Sequence, residues 1–230
     1  MISIVIPVFN ASSLITSTVQ ELSVYLSQNF SDYEILLCDD SSKDGSREIM
    51  EMAAVEDKNV RLFYNADNFG LGATLRRLFQ EARGECVFYC DCDLPFGCPA
   101  IKTLYDGSKD YDIIVASRYC GEHNQVSFIR RIFSRLYYRF CKDLFNVAVV
   151  DIGSGTVLFK KTALDRLYIS ANGFGVHVEL FARAAQQGMK IKEIGMKSRQ
   201  SVKSSFSIVR HSWPIFIETM KIYKELSKES

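Results

Sequence analysis

Two aspartates one residue apart, Asp91 and Asp93, close a short apolar run, Cys86-Val87-Phe88-Tyr89-Cys90. Carboxylates this close repel strongly in a partly dry site, so a cation between them is what lets both stay ionised. Hard divalent ions such as Mg²⁺ or Mn²⁺ take oxygen ligands and bridge one or two carboxylates to substrate phosphates. On a strand, positions i and i+2 point to the same side, which would aim both carboxylates at one point. The pattern predicts a metal–phosphate site at the carboxyl end of a buried strand, with Asp91 and Asp93 as metal ligands. Cys92, between them, reads as a small filler.

The elements that must position this pair follow from hydrophobic pattern. Ile2 to Val8 reads as a buried strand, and Asn10 to Ser13 as the cap of a helix over 14–28. Tyr33 to Cys38 is a second strand ending in Asp39-Asp40, followed by a helix over 45–56 and a short strand over 60–63. Gly70-Leu71-Gly72 opens a helix whose Leu71, Leu75, Leu78, Phe79 and Ala82 recur at helical spacing, with Gly84 as its C-cap. Four strands alternating with helices in 95 residues imply a parallel sheet. Ligands of such sheets bind beyond the carboxyl ends of the strands, where Pro7-Val8-Phe9-Asn10, Asp39-Asp40 and Asp91-Cys92-Asp93 collect. No GxGxxG follows the first strand and no P-loop is present, so dinucleotide-fingerprint and Walker chemistry are excluded.

Further on, a strand over 111–116 leads into Ser117-Arg118-Tyr119, and a helix spans 127–144. That helix carries Phe128, Ile132, Phe133, Leu136 and Phe140 on one side and Arg131, Arg135, Arg139 and Lys142 beside them. Asp151 to Gly155 precedes a strand over 156–159. A helix over 178–187, a strand over 191–194 and a polar loop over 199–207 follow, then a last amphipathic helix with Pro214 in its first turn and Phe216, Met220 and Tyr223 apolar. No repeat or linker interrupts the 230 residues, which read as one domain. A net charge of +1 argues against a nucleic-acid binder driven by bulk positive charge. Seven cysteines without CxxC pairs read as reduced thiols of a cytosolic protein. The apolar N-terminus stops at Pro7 without a basic region, and no run is long enough to cross a membrane, so the chain reads as cytoplasmic, or peripheral at the cytoplasmic face of a membrane.

Taken in order, Ile6-Pro7-Val8-Phe9-Asn10, Cys38-Asp39-Asp40-Ser41 with Asp44-Gly45, Asn68 to Gly72, Asp91 to Leu94, Ala116 to Tyr119, Asp151 to Gly155 and Val202 to Ser207 resemble the GT-A glycosyltransferases of family 2. The likeness is to dolichol-phosphate mannose synthases and related polyprenyl-phosphate sugar transferases. Pro95 stands where that subgroup often has Gln, Ala11 where it usually has an acid, and Val202 where the late loop often begins with Gly.

The resemblance implies an α/β GT-A fold, a single Rossmann-like, mostly parallel sheet with flanking helices. It implies a nucleotide-binding half over 1–95 and an acceptor-binding half over 96–230. It also implies an inverting, Mg²⁺- or Mn²⁺-dependent transferase moving a sugar from a nucleoside-diphosphate sugar to a polyprenyl phosphate. Pro7, Phe9, Asn10, Asp39, Asp40, Gly70, Cys92 and Arg118 would line the nucleotide sugar with Asp91 and Asp93. Arg199, Lys203 and Ser205 would belong to a segment folding over diphosphate and acceptor. Asp151 ranks first as a general base for a hydroxyl acceptor, before Glu179, and a phosphate acceptor needs none. His177 reads as structural. Two alternatives stay open: a saccharide hydroxyl as acceptor, and a silent GT-A domain serving as a scaffold subunit. The basic-flanked helix suits contact with an anionic membrane surface, or the chain joins a membrane partner subunit.

Overall fold

The computed structural model describes residues 1–120, 128–199 and 208–229. Strand β1 (Ile2–Val8) is buried almost throughout and lies between β2 (Tyr33–Asp39) and β4 (Cys86–Cys90), parallel to both. β3 (Val60–Tyr64) pairs in parallel with β2 at the edge. Beyond β4 lie β6 (Thr156–Lys160), β5 (Ile113–Ser117) and β7 (Ile191–Gly195), giving a seven-stranded sheet in the order β3-β2-β1-β4-β6-β5-β7. Only β6 runs antiparallel to its neighbours, with Cys90 paired to Thr156 and Val115 to Val157. Its direction carries the residues before it, Asp151 to Gly155, to the same sheet edge as the carboxyl ends of β4 and β5. The expected fold class, a mostly parallel sheet with flanking helices, is what forms.

Strand alternation divides the core between the two faces. Ile4, Ile6, Ile35, Leu37, Phe88 and Cys90 pack with helices α1 (Ser12–Asn29), α2 (Ser46–Glu56) and α4 (Pro99–Asp106). Val5, Leu36, Cys38, Val87 and Tyr89 face α3 (Leu71–Glu81), α5 (Phe128–Phe145), α7 (Val176–Gln186) and α8 (Ile208–Glu229). A four-residue turn of helix, α6 (Lys161–Leu164), follows β6. All seven cysteines are free. Among the described residues no helix is long and apolar enough to cross a membrane.

Several expectations need correction. Gly84 is not a helix cap: α3 ends at an extended Ala82, and a Cβ on Gly84 would meet the Ser3 nitrogen at 2.6 Å, so glycine serves there for close approach to β1. The N-cap of α1 falls in the Asn10–Ser13 stretch, at Ala11, but no side chain there makes the capping bond; Ala11 and Ser12 instead donate their N–H groups to Ser46 Oγ and Asp44 Oδ2 across the next loop. Pro214 lies inside α8 rather than in its first turn, and that helix buries Thr219, Ile222 and Leu226 while Phe216 and Tyr223 stay part-exposed. On α5, Cys141, Tyr137, Phe140 and Phe145 reach the core, whereas Ile132, Phe133 and Leu136 are exposed. A periodic apolar stripe says that a helix has a face, but its neighbours decide which rotation is buried.

Candidate active site

β4 ends at Cys90, so strand alternation does not set the geometry of Asp91 and Asp93. The chain instead turns: Leu94 donates its N–H to Asp91 O at 2.9 Å, Gly97 to Leu94 O at 2.8 Å, and Leu94 holds a left-handed φ of 42°. Asp93 is exposed and Asp91 half-buried. The turn is fixed from outside, by Thr18 Oγ1 donating to Cys92 O at 2.6 Å and by Asp91 N–H donating to Gly155 O at 2.8 Å. Cys92 therefore contributes its backbone to the turn. Burial pushes the Asp91 carboxyl up, against the opposing pull of the Tyr89 hydroxyl and the Arg118 charge.

That hydroxyl was not anticipated. Tyr89 is 1% exposed and donates to Asp91 Oδ1. His177 Nε2 lies 3.2 Å from the same Tyr89 oxygen. Burial drives the His177 pKa down to about 4, so the ring is neutral at physiological pH. The contact forms because Asp91 turns out of β4 just after the strand that carries Tyr89.

The other acids differ in what they do. Asp40 is 4% exposed, and its carboxylate accepts from Asn65 Nδ2 at 2.8 Å, Phe69 N at 3.0 Å and Gly70 N at 2.8 Å. It ties the Asn65–Gly70 loop to the end of β2. Among the described residues Asp39 accepts the Ser42 N–H alone, at 3.2 Å to each oxygen, so of the pair it is the one with more acceptor capacity left for a ligand. Gly70 has φ +89°, and a Cβ there would meet the Asn172 oxygen at 2.5 Å; it shapes the wall and leaves room for no side chain. Pro7 is part-exposed in β1, and the Phe9 ring, just beyond that strand, is 52% exposed. Phe69 is exposed to nearly the same degree, 51%, from a loop that sequence reading gave no aromatic role. Asn10 is exposed; its side-chain oxygen accepts Lys43 N at 2.9 Å and its own N–H donates to Ser42 Oγ at 2.8 Å, which stitches two loops together.

Arg118 and Asp151 meet because β5 ends where β6 begins. Arg118 donates its backbone N–H and Nε to Asp151 Oδ2 at 2.8 and 2.9 Å, and Nη2 to Oδ1 at 2.7 Å. Asp151 is 2% exposed, and its own N–H is held by Glu193 Oε1 at 2.9 Å. Burial works against the guanidinium charge, but the Asp151 carboxylate outweighs it and raises the Arg118 pKa. Removing one partner of such a buried pair costs about 3–5 kcal/mol. Asp151, the first-ranked general-base candidate, is thus ion-paired with Arg118, and both of its oxygens accept hydrogen bonds from that residue. Glu179 is likewise committed, fully buried and accepting from Ser170, Ala171 and Arg183.

Arg199 is also ion-paired. Its guanidinium pairs with Glu21 and lies over Gly97, and its N–H donates to Pro95 O at 2.7 Å. It lies against the Asp91–Gly97 turn. Lys203 and Ser205 lie outside the described residues.

Asp91 and Asp93 offer hard oxygen donors, and among the described residues no group of three or more His, Cys, Asp or Glu could hold a metal. Two carboxylates leave most of a Mg²⁺ or Mn²⁺ shell to phosphate and water oxygens, which suits those ions. The donor set fits such an ion shared with a phosphorylated ligand.

The model of the family "Glycosyl transferase family 2" matches residues 3–168. The chain belongs to that family. In glycosyltransferase terms the match runs from β1 through the Asp91–Asp93 turn to Tyr168, leaving α7, β7 and α8 outside. The undecaprenyl-phosphate 4-deoxy-4-formamido-L-arabinose transferase of Pseudomonas fluorescens (strain SBW25) is 31% identical over 76% of this chain and 54% of its own length. The dolichol-phosphate mannosyltransferase of Mycosarcoma maydis is 26% identical over 84% of this chain and 68% of its own. The chain spans about half the length of several curated relatives it matches. Glucosyl-3-phosphoglycerate synthase from Mycobacterium tuberculosis, solved with Mn²⁺, uridine-diphosphate-glucose and phosphoglyceric acid, superposes with TM-score 0.70 at 18% identity, covering 97% of this chain and 80% of its own. That likeness shows a shared glycosyltransferase fold.

Proposed function

We propose that this chain is the catalytic domain of an inverting glycosyltransferase that moves a sugar from a nucleoside-diphosphate sugar to a polyprenyl phosphate. The observation that carries the acceptor half is the state of its acids. Both general-base candidates, Asp151 and Glu179, are buried with their oxygens already hydrogen-bonded. A saccharide hydroxyl must lose a proton as it attacks, whereas a lipid phosphate arrives as an anion and needs no base. Relatives whose names carry undecaprenyl phosphate and dolichol phosphate support the same reading.

On the donor side, Pro7 and Phe9 border the base and Asp39 accepts from its ring N–H. Phe69 adds a second exposed aromatic, on the loop whose backbone Asp40 holds. Asp91 and Asp93 would hold the divalent ion, which supplies charge neutralisation of the departing diphosphate. Arg118, immobilised by Asp151, keeps Nη1 as the guanidinium edge not used among the described residues, and a fixed cation beside the diphosphate stabilises developing negative charge at no reorganisation cost. The division into a nucleotide half over 1–95 and an acceptor half over 96–230 belongs to this reading. So does a membrane-facing role for the exposed Ile132, Phe133 and Leu136 beside Arg135 and Arg139.

Radiolabelled nucleotide sugars supplied with Mn²⁺ and polyprenyl phosphate are expected to give a lipid-extractable product labile to mild acid. Label passing only to oligosaccharides would replace the lipid acceptor with a hydroxyl acceptor. No transfer from any donor would point to a scaffold subunit.

A further inference from the structure

We propose that Tyr89, backed by His177, is a positioning residue that holds the Asp91 carboxylate in its cation-facing orientation. The inference rests on the donor-site reading above, in which Asp91 is a ligand of the divalent ion.

Asp91 begins a turn, and a carboxylate on a turn has rotamer freedom that an ion site must remove. Three contacts remove it. Its backbone N–H is fixed on Gly155 O at 2.8 Å. Its Oδ2 occupies the space where a Gly155 side chain would stand, since a Cβ built there falls 2.2 Å from that oxygen. Its Oδ1 accepts the hydroxyl of Tyr89. A phenol has one proton; once donated to Asp91, its oxygen is left to accept. His177 Nε2 lies 3.2 Å away on the far side, with the two rings 5.6 Å apart, and completes the Asp91–Tyr89–His177 chain.

Both supporting side chains are themselves held. Tyr89 is a core residue of β4 packed among the α3, α5 and α7 side chains. His177 sits in the first turn of α7, a turn that Glu218 of α8 fixes by accepting the Gly175 N–H at 2.6 Å. The chain of contacts therefore runs from a metal-ligand candidate to the C-terminal helix, which lies outside the residues the family model matches. A core tyrosine needing a partner could use any carbonyl. Here it takes the half-buried Asp91 carboxylate. Partners of this kind orient a ligating group, and losing one typically weakens metal affinity 10- to 100-fold.

The test is Mn²⁺ binding, read by electron paramagnetic resonance of the free ion, with UDP and with GDP present, in wild type and Tyr89→Phe. The phenylalanine keeps the ring and removes only the hydroxyl. We expect the Mn²⁺ dissociation constant to rise about 10- to 100-fold. Nucleoside diphosphate binding without metal should stay near wild type, and the variant should remain folded by circular dichroism, with a melting temperature lowered by the loss of the buried hydroxyl's hydrogen bonds. In turnover, the Mn²⁺ concentration for half-activation should rise while kcat at saturating Mn²⁺ recovers. His177→Asn reads the link from its other end and should shift the Mn²⁺ constant in the same direction by less. Wild-type Mn²⁺ affinity in Tyr89→Phe, beside a wild type that binds the ion, overturns the inference and leaves the donor site standing. A wild type that takes up no Mn²⁺ with either nucleotide overturns both.

Discussion

Adjacent carboxylates can have opposite duties, and Asp39 and Asp40 show how partners decide it. Asp40 accepts from Asn65, Phe69 and Gly70 and so works as a brace, while Asp39 accepts one backbone N–H. Asp40→Asn should lower stability by about 1–3 kcal/mol, the cost of unsettling buried hydrogen bonds, as measured by urea denaturation. Asp39→Asn should leave stability near wild type and weaken nucleoside diphosphate binding by calorimetry. The reverse pattern would exchange their roles. Asp93 is exposed, so its replacement removes little packing. Asp93→Asn should keep the melting temperature and lower metal-dependent turnover by roughly 100-fold or more, beyond the loss expected for an outer partner. Full activity at saturating Mn²⁺ would refute its ligand role.

Elements are joined here by a few buried polar links whose pH dependence is open to measurement. Glu34 of β2 accepts Ser3 Oγ from β1 at 2.6 Å, Arg61 Nη1 from β3 at 2.7 Å and Arg83 N after α3 at 2.7 Å. Burial alone would raise its pKa; the hydroxyl, the N–H and the guanidinium together hold it below the ordinary carboxylate value of 4.5. A depressed folded pKa contributes stability that is present above the unfolded value and lost as pH falls through the folded one. Wild type should therefore lose stability below about pH 4.5, and Glu34→Gln should lose less over that interval while starting lower at pH 7. Urea midpoints across pH 3 to 7 would show it, and parallel curves for the two proteins would refute the assignment. Elsewhere closeness of backbone does the joining. Gly72 donates its N–H to Asn172 O at 2.6 Å, and a Cβ there would meet the Ala171 oxygen at 2.2 Å. The start of α3 and the 171–175 loop touch directly for that reason.

At the scale of the molecule, β6 decides the site by running against its neighbours, since only that direction brings Asp151 and Gly155 to the edge where Asp91 and Arg118 sit. On the outer surface, the α5 ridge of Ile132, Phe133 and Leu136 is 41%, 52% and 63% exposed, with basic side chains beside it. Apolar side chains flanked by arginines partition into anionic interfaces. Co-sedimentation with vesicles containing anionic phospholipid should capture wild type at low salt and lose the Phe133→Asp/Leu136→Asp double variant; equal capture of both would exclude this ridge. How much could be read beforehand depended on the range of the interactions concerned. Hydrophobic period and turn residues are local, so the strands, most helix spans, the parallel first half and the acids at its carboxyl edge were legible in the chain itself. The partners of those acids were not, because Arg118 and Asp151 are 33 residues apart, and Tyr89 and His177 are 88 apart. By itself the sequence determined an α/β glycosyltransferase frame with the Asp91–Asp93 pair at the carboxyl edge of its sheet. Only the tertiary structure decided that Asp151 pairs with Arg118, that Asp40 accepts from the Asn65–Gly70 loop and that Tyr89 reaches Asp91, since hydrogen bonds form between groups that folding brings together.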